Sequence, residues 1–590
     1  MVVSCARILM VAKELQMKNI LKYSVGVAAC CCSCWALGAF TLDDIHYWVG
    51  EGTNKAAIVI DWNDNSSPAS LCWGYRWNGA PRSATQILKE IAEADNRLHI
   101  SISVSTWGSS LDFIGYDVND NASYFSNSKS TDSEDWCSSK PNTHYWSQNF
   151  AMNPQSFDSA TWEYYSTGID GQMIENGTWY YAKYIDWTTY EASTPAVVPS
   201  AAESPFGYSI LSAATEAYSY NNSKNALGRP TTYMNFEYGG VVNPVNSSWG
   251  NDELYAIVKY EEEVPSYVAI EFDHRVYDDP QNPYGQDFIV FGNAFLSYRG
   301  NGSSYYSENS DPNNFTINPV CMSEQAEVEV SQDGENWYSI PNAPYADGFA
   351  PTLGYTYDTT APDSTLFNGN LWWSKRTDPT LPLPPALASS DWSNITLAEL
   401  CKRYNGSAGG TGYDISGIKK LSADETGRKW IKYVRIKPVF EDYDDEGYPL
   451  YSEPEIDAVA DVAPMLPYQL WVTKNFSFAD AYKTNLTASG SVGQNGNSNF
   501  INAAFDKSPS ENFTPEFEIT SFRIDNGKAF FKTSLANPCY DTLRISKNSK
   551  LDAPNWNTKI IPQYNPDTKE YSIELNDANA QQFFKLKLCE

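Results

Sequence analysis

The chain has 590 residues, of which 42% are hydrophobic and 14% aromatic, enough for several hydrophobic cores. Its formal net charge is −31, which argues against nucleic acid or an anionic membrane as a partner. The 40 Tyr and 19 Trp, set among many turn-forming residues, favour a mainly β fold. We therefore predict several β-sandwich or jelly-roll units, with one short helix in the first.

Residues 1–39 have the composition of a signal peptide. Lys18 and Lys22 precede an apolar run that ends in small residues near Ala39. This pattern predicts an extracytoplasmic protein that is secreted or displayed at the cell surface. The run Val-Ala-Ala-Cys ending at Cys30 loosely resembles a lipobox, so a lipid anchor is the alternative.

A first unit is predicted over residues 40–195 and is rich in tryptophan. Its segment LCWGYRW alternates, so that Trp73, Tyr75 and Trp77 share one face of a strand. Together with Trp48 and Trp107, this face is a candidate platform for a ring-bearing ligand, because rigid aromatic side chains give large contact area at little entropic cost. The alternative is that the same face is hydrophobic core.

A helix is predicted directly after this strand. Ser83 and Gln86 have the spacing of a capping box, and an apolar stripe follows. Further along, Asp117, Asn119 and Asn121 stand at alternate positions, as a small calcium loop requires.

A middle unit is predicted over residues 196–468, with short strands between Asn-, Asp-, Pro- and Gly-rich turns. A long polar insertion at about 355–412 carries Trp372 and Trp373, which are further candidate ligand contacts. The acidic stretch 442–453 matches positions 1, 3, 5, 6 and 12 of the calcium-loop pattern with Asp442, Asp444, Glu446, Gly447 and Glu453, and Tyr448 is a further candidate ligand. Calcium is therefore the predicted cofactor, with a structural role. The alternative is a solvated acidic turn.

Six cysteines lie outside the leader, which suggests disulfides in an exported chain. Nearest-neighbour pairing is the simplest of several connectivities: Cys72 with Cys137, Cys321 with Cys401, and Cys539 with Cys589. A polar linker is predicted over residues 469–514, although 500–505 are apolar enough to dock. A small β-sandwich is predicted over residues 515–590.

Several segments carry a family resemblance. The middle unit contains FDHRVYDDPQNPYGQDFIVFGNAF (272–295), SEQAEVEVSQDGENWY (323–338) and EIDAVADV (455–462). These segments resemble a family of bacterial cell-surface proteins often encoded beside corrinoid (vitamin B12) uptake systems of the outer membrane. The C-terminal unit is similar to small β-modules of exported proteins. Where the family tends to have Ser-Glu-Pro-Gly, this chain has Ser-Glu-Gln-Ala.

The resemblance implies a surface-exposed protein that captures a corrinoid for an outer-membrane transporter. Aromatic richness and calcium loops fit a carbohydrate-binding or adhesion protein equally well. None of the four histidines lies in a zinc-protease or nucleophile-elbow motif, so we predict no enzymatic activity. His274 is instead expected to bond to backbone. A hydrolase whose acidic residues converge only in the fold is the remaining alternative.

Overall fold

The fold was analysed in a computed structural model. It describes residues 39–64, 68–105, 108–118, 125–126, 129–130, 135–138, 140, 143–165, 167–188, 195, 197–214, 222–234, 239–249, 254–257, 266–300, 306–307, 310–360, 372–383, 392–424, 427–443, 449–465, 467–476, 497–514, 518–525, 528–535, 543–548, 558–560, 562–565, 569–575 and 583–588. The predicted fold class is confirmed: the protein is mainly β and consists of multiple separate sheets. Among the described residues, no helix is long and apolar enough to span a bilayer.

Within the described residues, the first unit has fourteen strands and one α-helix. The strands are β1 (Trp48–Gly50), β2 (Asn54–Asp61), β3 (Ser70–Trp77), β4 (Arg82–Ser83), β5 (Leu98–Ser105), β6 (Gly108–Tyr116), β7 (Phe125–Ser126), β8 (Lys129–Ser130), β9 (Trp136–Cys137), β10 (His144–Met152), β11 (Glu163–Tyr164), β12 (Met173–Ile174), β13 (Thr178–Asp186) and β14 (Ser200–Ala201). The helix is α1 (Ala84–Ala94). Seven of the strands form a mixed sheet in the order β1-β3-β2-β13-β10-β11, with β14 also pairing with β3.

Helix α1 begins where the sequence predicts it. The Ser83 hydroxyl accepts from the Gln86 N–H, and the Gln86 side chain accepts from the Ser83 N–H, so both halves of the capping box are present. The apolar stripe of α1, with Ile87, Leu88 and Ile91 all buried, packs on the seven-stranded sheet.

The middle unit contains strands β15 to β31 and one helix. The strands are β15 (Ser209–Ala214), β16 (Tyr233–Met234), β17 (Gly240–Val241), β18 (Tyr255–Ala256), β19 (Tyr267–Tyr277), β20 (Phe288–Gly292), β21 (Phe295–Gly300), β22 (Phe315–Met322), β23 (Ala326–Ser331), β24 (Tyr338–Ser339), β25 (Tyr355–Tyr357), β26 (Trp373–Arg376), β27 (Thr411–Tyr413), β28 (Trp430–Pro438), β29 (Phe440–Tyr443), β30 (Pro449–Tyr451) and β31 (Glu455–Asp461). The helix is α2 (Leu397–Arg403). A five-stranded sheet, β15-β19-β28-β23-β24, packs on a four-stranded sheet, β18-β31-β20-β27, and both are antiparallel.

The four-stranded sheet is buried on both faces. Phe288 and Val290 of β20 point into the sandwich core, whereas Ile289 and Phe291 point into the core of the first unit. This alternation follows from the two-residue period of a strand. The first and middle units therefore share a continuous hydrophobic core and meet along this sheet.

Two helices lie in the segment for which the sequence predicts a linker. They are α3 (Pro467–Asn475) and α4 (Asn499–Ala504), and they contact each other. The indole N–H of the buried Trp471 donates to the Lys507 carbonyl at 3.1 Å. A buried indole with a satisfied donor fixes this part of the segment, so the described ends of the predicted linker are ordered structure.

The C-terminal unit contains two antiparallel sheets of short strands. The strands are β32 (Ile519–Asp525), β33 (Lys528–Thr533), β34 (Leu543–Asn548), β35 (Thr558–Ile560), β36 (Gln563–Asn565), β37 (Glu570–Glu574) and β38 (Phe583–Leu588). Their orders are β32-β33-β37-β36 and β35-β34-β38, which agrees with the predicted small all-β unit.

The predicted cysteine pairs are not formed where the structure describes them. None of Cys72, Cys137, Cys321 and Cys401 forms a disulfide bond. Cys72 is buried on the face of β3 opposite Trp73, whereas Cys137 belongs to the strands that pack over the Trp73 face, so the sheet separates the two thiols. The pairs 72/137 and 321/401 are thus not formed in this structure, while Cys539 and Cys589 lie outside the described residues.

We expect at least four titratable thiols per chain when the protein is denatured without reductant. Burial raises the pKa of the Cys321 thiol to about 11 and that of the Cys72 and Cys401 thiols further, so these groups should react slowly in the native protein. An Ellman titration with denaturant counts the thiols, and the same titration without denaturant measures how fast they react in the native protein. Fewer than four reactive thiols in the denatured protein would contradict the absence of disulfide bonds among these four cysteines.

Candidate functional site

A cleft of about 440 Å³ opens where the first unit meets the middle unit. The first unit and the segment after it contribute Tyr47, Ala94, Asp95, Asn96, Arg97, Val118, Glu203 and Pro205 to its walls. The middle unit and the segment that follows β31 contribute His274, Arg275, Tyr277, Asp279, Asn282, Thr380, Arg428, Asp461, Val462, Ala463 and Pro464. A second cavity of about 360 Å³ lies beside α1 but is more open and has few convergent polar groups, so the cleft is the better candidate site.

A hydrogen-bonded cluster around His274 lies at one end of the cleft. Its Nδ1 lies 2.8 Å from Asp273 Oδ1, and its Nε2 lies 2.8 Å from Asp461 Oδ2. The other oxygen of Asp273 bonds to His46 Nδ1 at 3.1 Å and accepts from the Ser204 N–H at 3.0 Å. We call these residues, His46, Ser204, Asp273, His274 and Asp461, the histidine clamp. It joins the first unit, the following segment and both middle sheets.

The hydrogen bonds of the clamp favour a protonated His274. Burial alone would lower its pKa, but the hydrogen bonds to Asp273 and Asp461 outweigh this and raise it to about 10. Burial likewise opposes ionisation of Asp273, yet the hydrogen bonds from His274 and His46 hold the pKa of that carboxyl well below its usual range. Burial raises the pKa of Asp461, and the hydrogen bond from His274 acts against it. With both ring nitrogens bonded to carboxylates, His274 is not placed to act as a general base.

Two guanidinium groups of the cleft lie on aromatic rings. Arg428 lies 4.2 Å from the ring centre of Tyr277 and bonds to Asp279 at 3.0 Å. Arg275 lies 4.2 Å from the ring of Trp430 and is exposed. Stacking fixes the plane of a guanidinium and leaves its edge free to donate hydrogen bonds. These two residues therefore give the cleft oriented donors.

The wall formed by the first unit is supported from behind by Trp73. Its indole N–H donates to Asp95 Oδ2 at 3.0 Å, and Asp95 in turn pairs with Arg97 at 2.9 Å. Arg97 also donates to the Glu203 carbonyl at 2.6 Å. A buried hydrogen-bonded network of this kind holds its members in one arrangement.

The predicted aromatic platform is wrong as a surface. Trp73 is 0% exposed, Tyr75 1% and Trp77 3%, because α1 and the strands that follow it cover this face of β3. Trp48 lies on the opposite face of the sheet and is half-buried over Gly74. A Cβ on Gly74 would lie 2.3 Å from the Trp48 ring. The strand LCWGYRW lies in a sheet that is buried on both faces, and Trp73, Tyr75 and Trp77 are core.

The tryptophans of the long insertion are also mainly structural. Trp373 is fully buried in the core of the insertion, and Trp372 is half-buried and packs against the same core. The insertion is polar in sequence, but α2 and the β21–β22 and β25–β26 hairpins give it a hydrophobic core of its own. Trp107 lies outside the described residues.

The predicted calcium loop falls on the hairpin formed by β29 and β30. Asp442 stands in β29 and Glu453 is exposed after β30, whereas Asp444, Glu446 and Tyr448 lie outside the described residues. In the other predicted loop, Asp117 is buried and its N–H donates to the Arg97 carbonyl, while Asn119 and Asn121 lie outside the described residues. Both calcium loops remain predictions.

Another group of carboxylates is placed to hold a metal ion. Asp278 follows β19, Asp287 precedes β20 and Asp414 follows β27, and one oxygen of each lies within 4.8 Å of the others. Burial raises the pKa of Asp287 to about 8, against hydrogen bonds from the Ile415 N–H and from Asn282. We call Asp278, Asp287 and Asp414 the acidic triad. It adjoins the cleft, because Asn282 contacts Asp287 and also lines the cleft.

The cleft is not predicted from the sequence, although the segment 272–295 forms much of it. His274, Arg275, Tyr277, Asp279 and Asn282 all lie in the motif at 272–295. A turn that holds DDPQNPYGQD between two apolar strands is polar well beyond what a hairpin needs, and this was the available signal. The cleft residues from the first unit and from β31 are distant in sequence from this motif. No local sequence pattern predicts that they lie beside it.

Comparison with protein-family models gives no match, and comparison with curated proteins gives no significant relative. The resemblance to corrinoid-associated surface proteins therefore stays a prediction.

Proposed function

We propose that the chain is an exported binding protein that captures a small polar ligand in the cleft between its first and middle units. The observation that carries this proposal is the cleft itself, whose volume of about 440 Å³ lies in the range usual for small-molecule sites. Its charges are balanced, since Arg97, His274 and Arg428 each pair with a carboxylate. A site with balanced charges and many oriented hydrogen-bonding groups suits a neutral, polyhydroxylated ligand.

A carbohydrate is the ligand class that this cleft fits best. Sugar hydroxyls donate and accept, so they match carboxylate and guanidinium edges at once, and an aromatic ring such as that of the half-buried Tyr277 packs on the apolar face of a sugar. The cleft holds a sugar of one or two rings, whereas a complete corrinoid would protrude from it. The buried Trp73, Tyr75 and Trp77 supply no surface for a corrin ring.

A corrinoid is the second candidate, and one observation favours it. The longest segment that resembles the corrinoid-associated family, 272–295, contributes five of the cleft residues. A corrinoid would then bind at the same cleft, with the polar groups at the edge of its ring inserted into the cleft. Transfer to an outer-membrane transporter belongs to this candidate.

We expect the Arg275→Ala variant to bind ligand at least tenfold more weakly, because it loses a stacked guanidinium that faces solvent in the cleft. Isothermal titration of glycans and then of cyanocobalamin into the intact chain identifies the class and provides the reference affinity. Arg299→Ala is the matched control, since Arg299 is also exposed but lies on β21, outside the cleft.

Both substitutions should leave the unfolding curve almost unchanged, because exposed side chains contribute little to stability. A ligand that binds with equal affinity to the parent and to Arg275→Ala would place recognition elsewhere. Binding of neither ligand class would reject the proposal.

A further inference from the structure

The acidic triad brings together carboxylates from three separate parts of the middle unit. Asp287 is buried, Asp278 is half-buried and Asp414 is exposed, so the group runs from the protein interior to solvent. Like charges at this separation repel, and burial strengthens the repulsion. Consistent with this, burial and the neighbouring carboxylates both raise the pKa of Asp278.

Protein cations do not account for the triad. The charge of Lys429 lowers the pKa of Asp278, but its ammonium donates to the Ser416 carbonyl. Arg428 is paired with Asp279, the residue after Asp278. Among the described residues, the buried Asp287 carboxylate accepts only from neutral donors, namely the Ile415 N–H at 2.9 Å and Asn282 Nδ2 at 3.0 Å.

An unpartnered amide oxygen lies beside the triad. Asn282 is only 3% exposed, and its Nδ2 donates to Asp287 Oδ1 at 3.0 Å, so its side-chain amide is in contact with the triad. Its Oδ1 is buried and has no hydrogen-bond partner among the described residues. A buried polar atom without a partner costs about 1–3 kcal/mol. An amide oxygen with free lone pairs beside three carboxylates is a ligand for a hard cation.

A second amide of the same loop is in a similar state. Gln286 Oε1 is also buried without a partner among the described residues. A Cβ added to Gly412, two residues before Asp414, would lie only 1.8 Å from this oxygen. The loop between β19 and β20 thus contains two buried amide oxygens that have no partner among the described residues.

We propose that Asp278, Asp287 and Asp414 bind a calcium ion, with Asn282 Oδ1 as a neutral ligand. Calcium takes six to eight oxygen ligands in irregular geometry and accepts carboxylates and amides together. Water completes the shell on the side of the exposed Asp414. This site differs from both calcium loops predicted from the sequence, at 117–121 and 442–453.

The ion would join the ends of three strands, β19, β20 and β27, at one edge of the sandwich. It would also fix the loop that supplies Tyr277, Asp279 and Asn282 to the cleft. The proposal does not depend on the ligand of the cleft, because calcium binding is measured without one.

The test counts calcium ions bound to the full chain. The protein is stripped with EDTA and titrated with calcium chloride by calorimetry, and the stoichiometry is compared among variants. Asp414→Asn and Asp278→Asn should each bind one calcium ion fewer, or bind that ion at least tenfold more weakly. Asp112→Asn is the matched control, since Asp112 is exposed on β6, away from the triad, and accepts a hydrogen bond from the Ser110 hydroxyl.

A further variant, Asp444→Asn, reports on the predicted loop at 442–453. Loss of calcium in this variant alone would reject the triad, as would equal stoichiometry in the parent, Asp414→Asn and Asp278→Asn. Absence of calcium binding by the parent would reject it too, and binding of magnesium in preference to calcium would overturn the choice of ion. Circular dichroism of each variant checks that the fold is retained.

Discussion

Replacing Trp73 with alanine is expected to lower the free energy of unfolding by about 3–5 kcal/mol, because the change opens a large cavity in a packed core. Trp73 is fully buried, its ring lies 5.8 Å from that of Tyr116, and its N–H is the buried partner of Asp95. Urea unfolding measures the loss. Trp187→Ala is the control, because Trp187 is 56% exposed, and its effect should stay within about 0.5 kcal/mol.

A Trp73→Phe variant separates the two roles of this side chain. It retains most of the buried ring but removes the indole donor, which leaves Asp95 with Arg97 alone. We expect a smaller loss, about 1–3 kcal/mol for the buried hydrogen bond, together with weaker ligand binding in the cleft. If Trp73→Ala were as stable as the parent but lost ligand binding, Trp73 would be a surface contact after all.

Replacing His274 with glutamine is expected to cost about 3–5 kcal/mol at pH 6, the range for breaking a buried ion pair from one side. Asp273 and Asp461 would both stay buried without the imidazolium between them. Because the clamp joins the two units, the loss should also weaken binding in the cleft. Urea unfolding of the two proteins at several pH values measures the difference.

The sign of the pH dependence follows from the direction of the pKa shift. The pKa of His274 is raised in the folded protein, from 6.5 to about 10. Its contribution is therefore complete below pH 6.5 and is lost as the pH rises toward 10. We expect the difference in stability between the parent and His274→Gln to be largest near pH 6 and to shrink steadily up to pH 10.

His144→Gln is the control for the pH series, since His144 lies on β10, outside the clamp. Its stability should follow that of the parent at every pH. A difference between the parent and His274→Gln that stayed constant from pH 6 to pH 10 would show that His274 is neutral in the folded protein. It would then contribute through packing rather than charge.

The sequence by itself determined the fold class and the local structure, because both depend on near neighbours. The alternation around Trp73 specified a strand, and the spacing of Ser83 and Gln86 specified the start of α1. The turn-rich spacing of apolar segments was enough to predict several β units. The calcium loops and the leader are local patterns as well and stay predictions.

Only the tertiary structure decided which faces are covered and which distant residues meet. A strand buried on both faces and a strand with one exposed aromatic face have the same alternation, so the sequence left Trp73, Tyr75 and Trp77 open between site and core. The packing of α1 on the sheet placed them in the core. The histidine clamp and the acidic triad are built from segments far apart in the chain, and only folding brings them within hydrogen-bonding or coordination distance. That long-range convergence is why the candidate site lies in the cleft, away from the aromatic strand that the sequence had favoured.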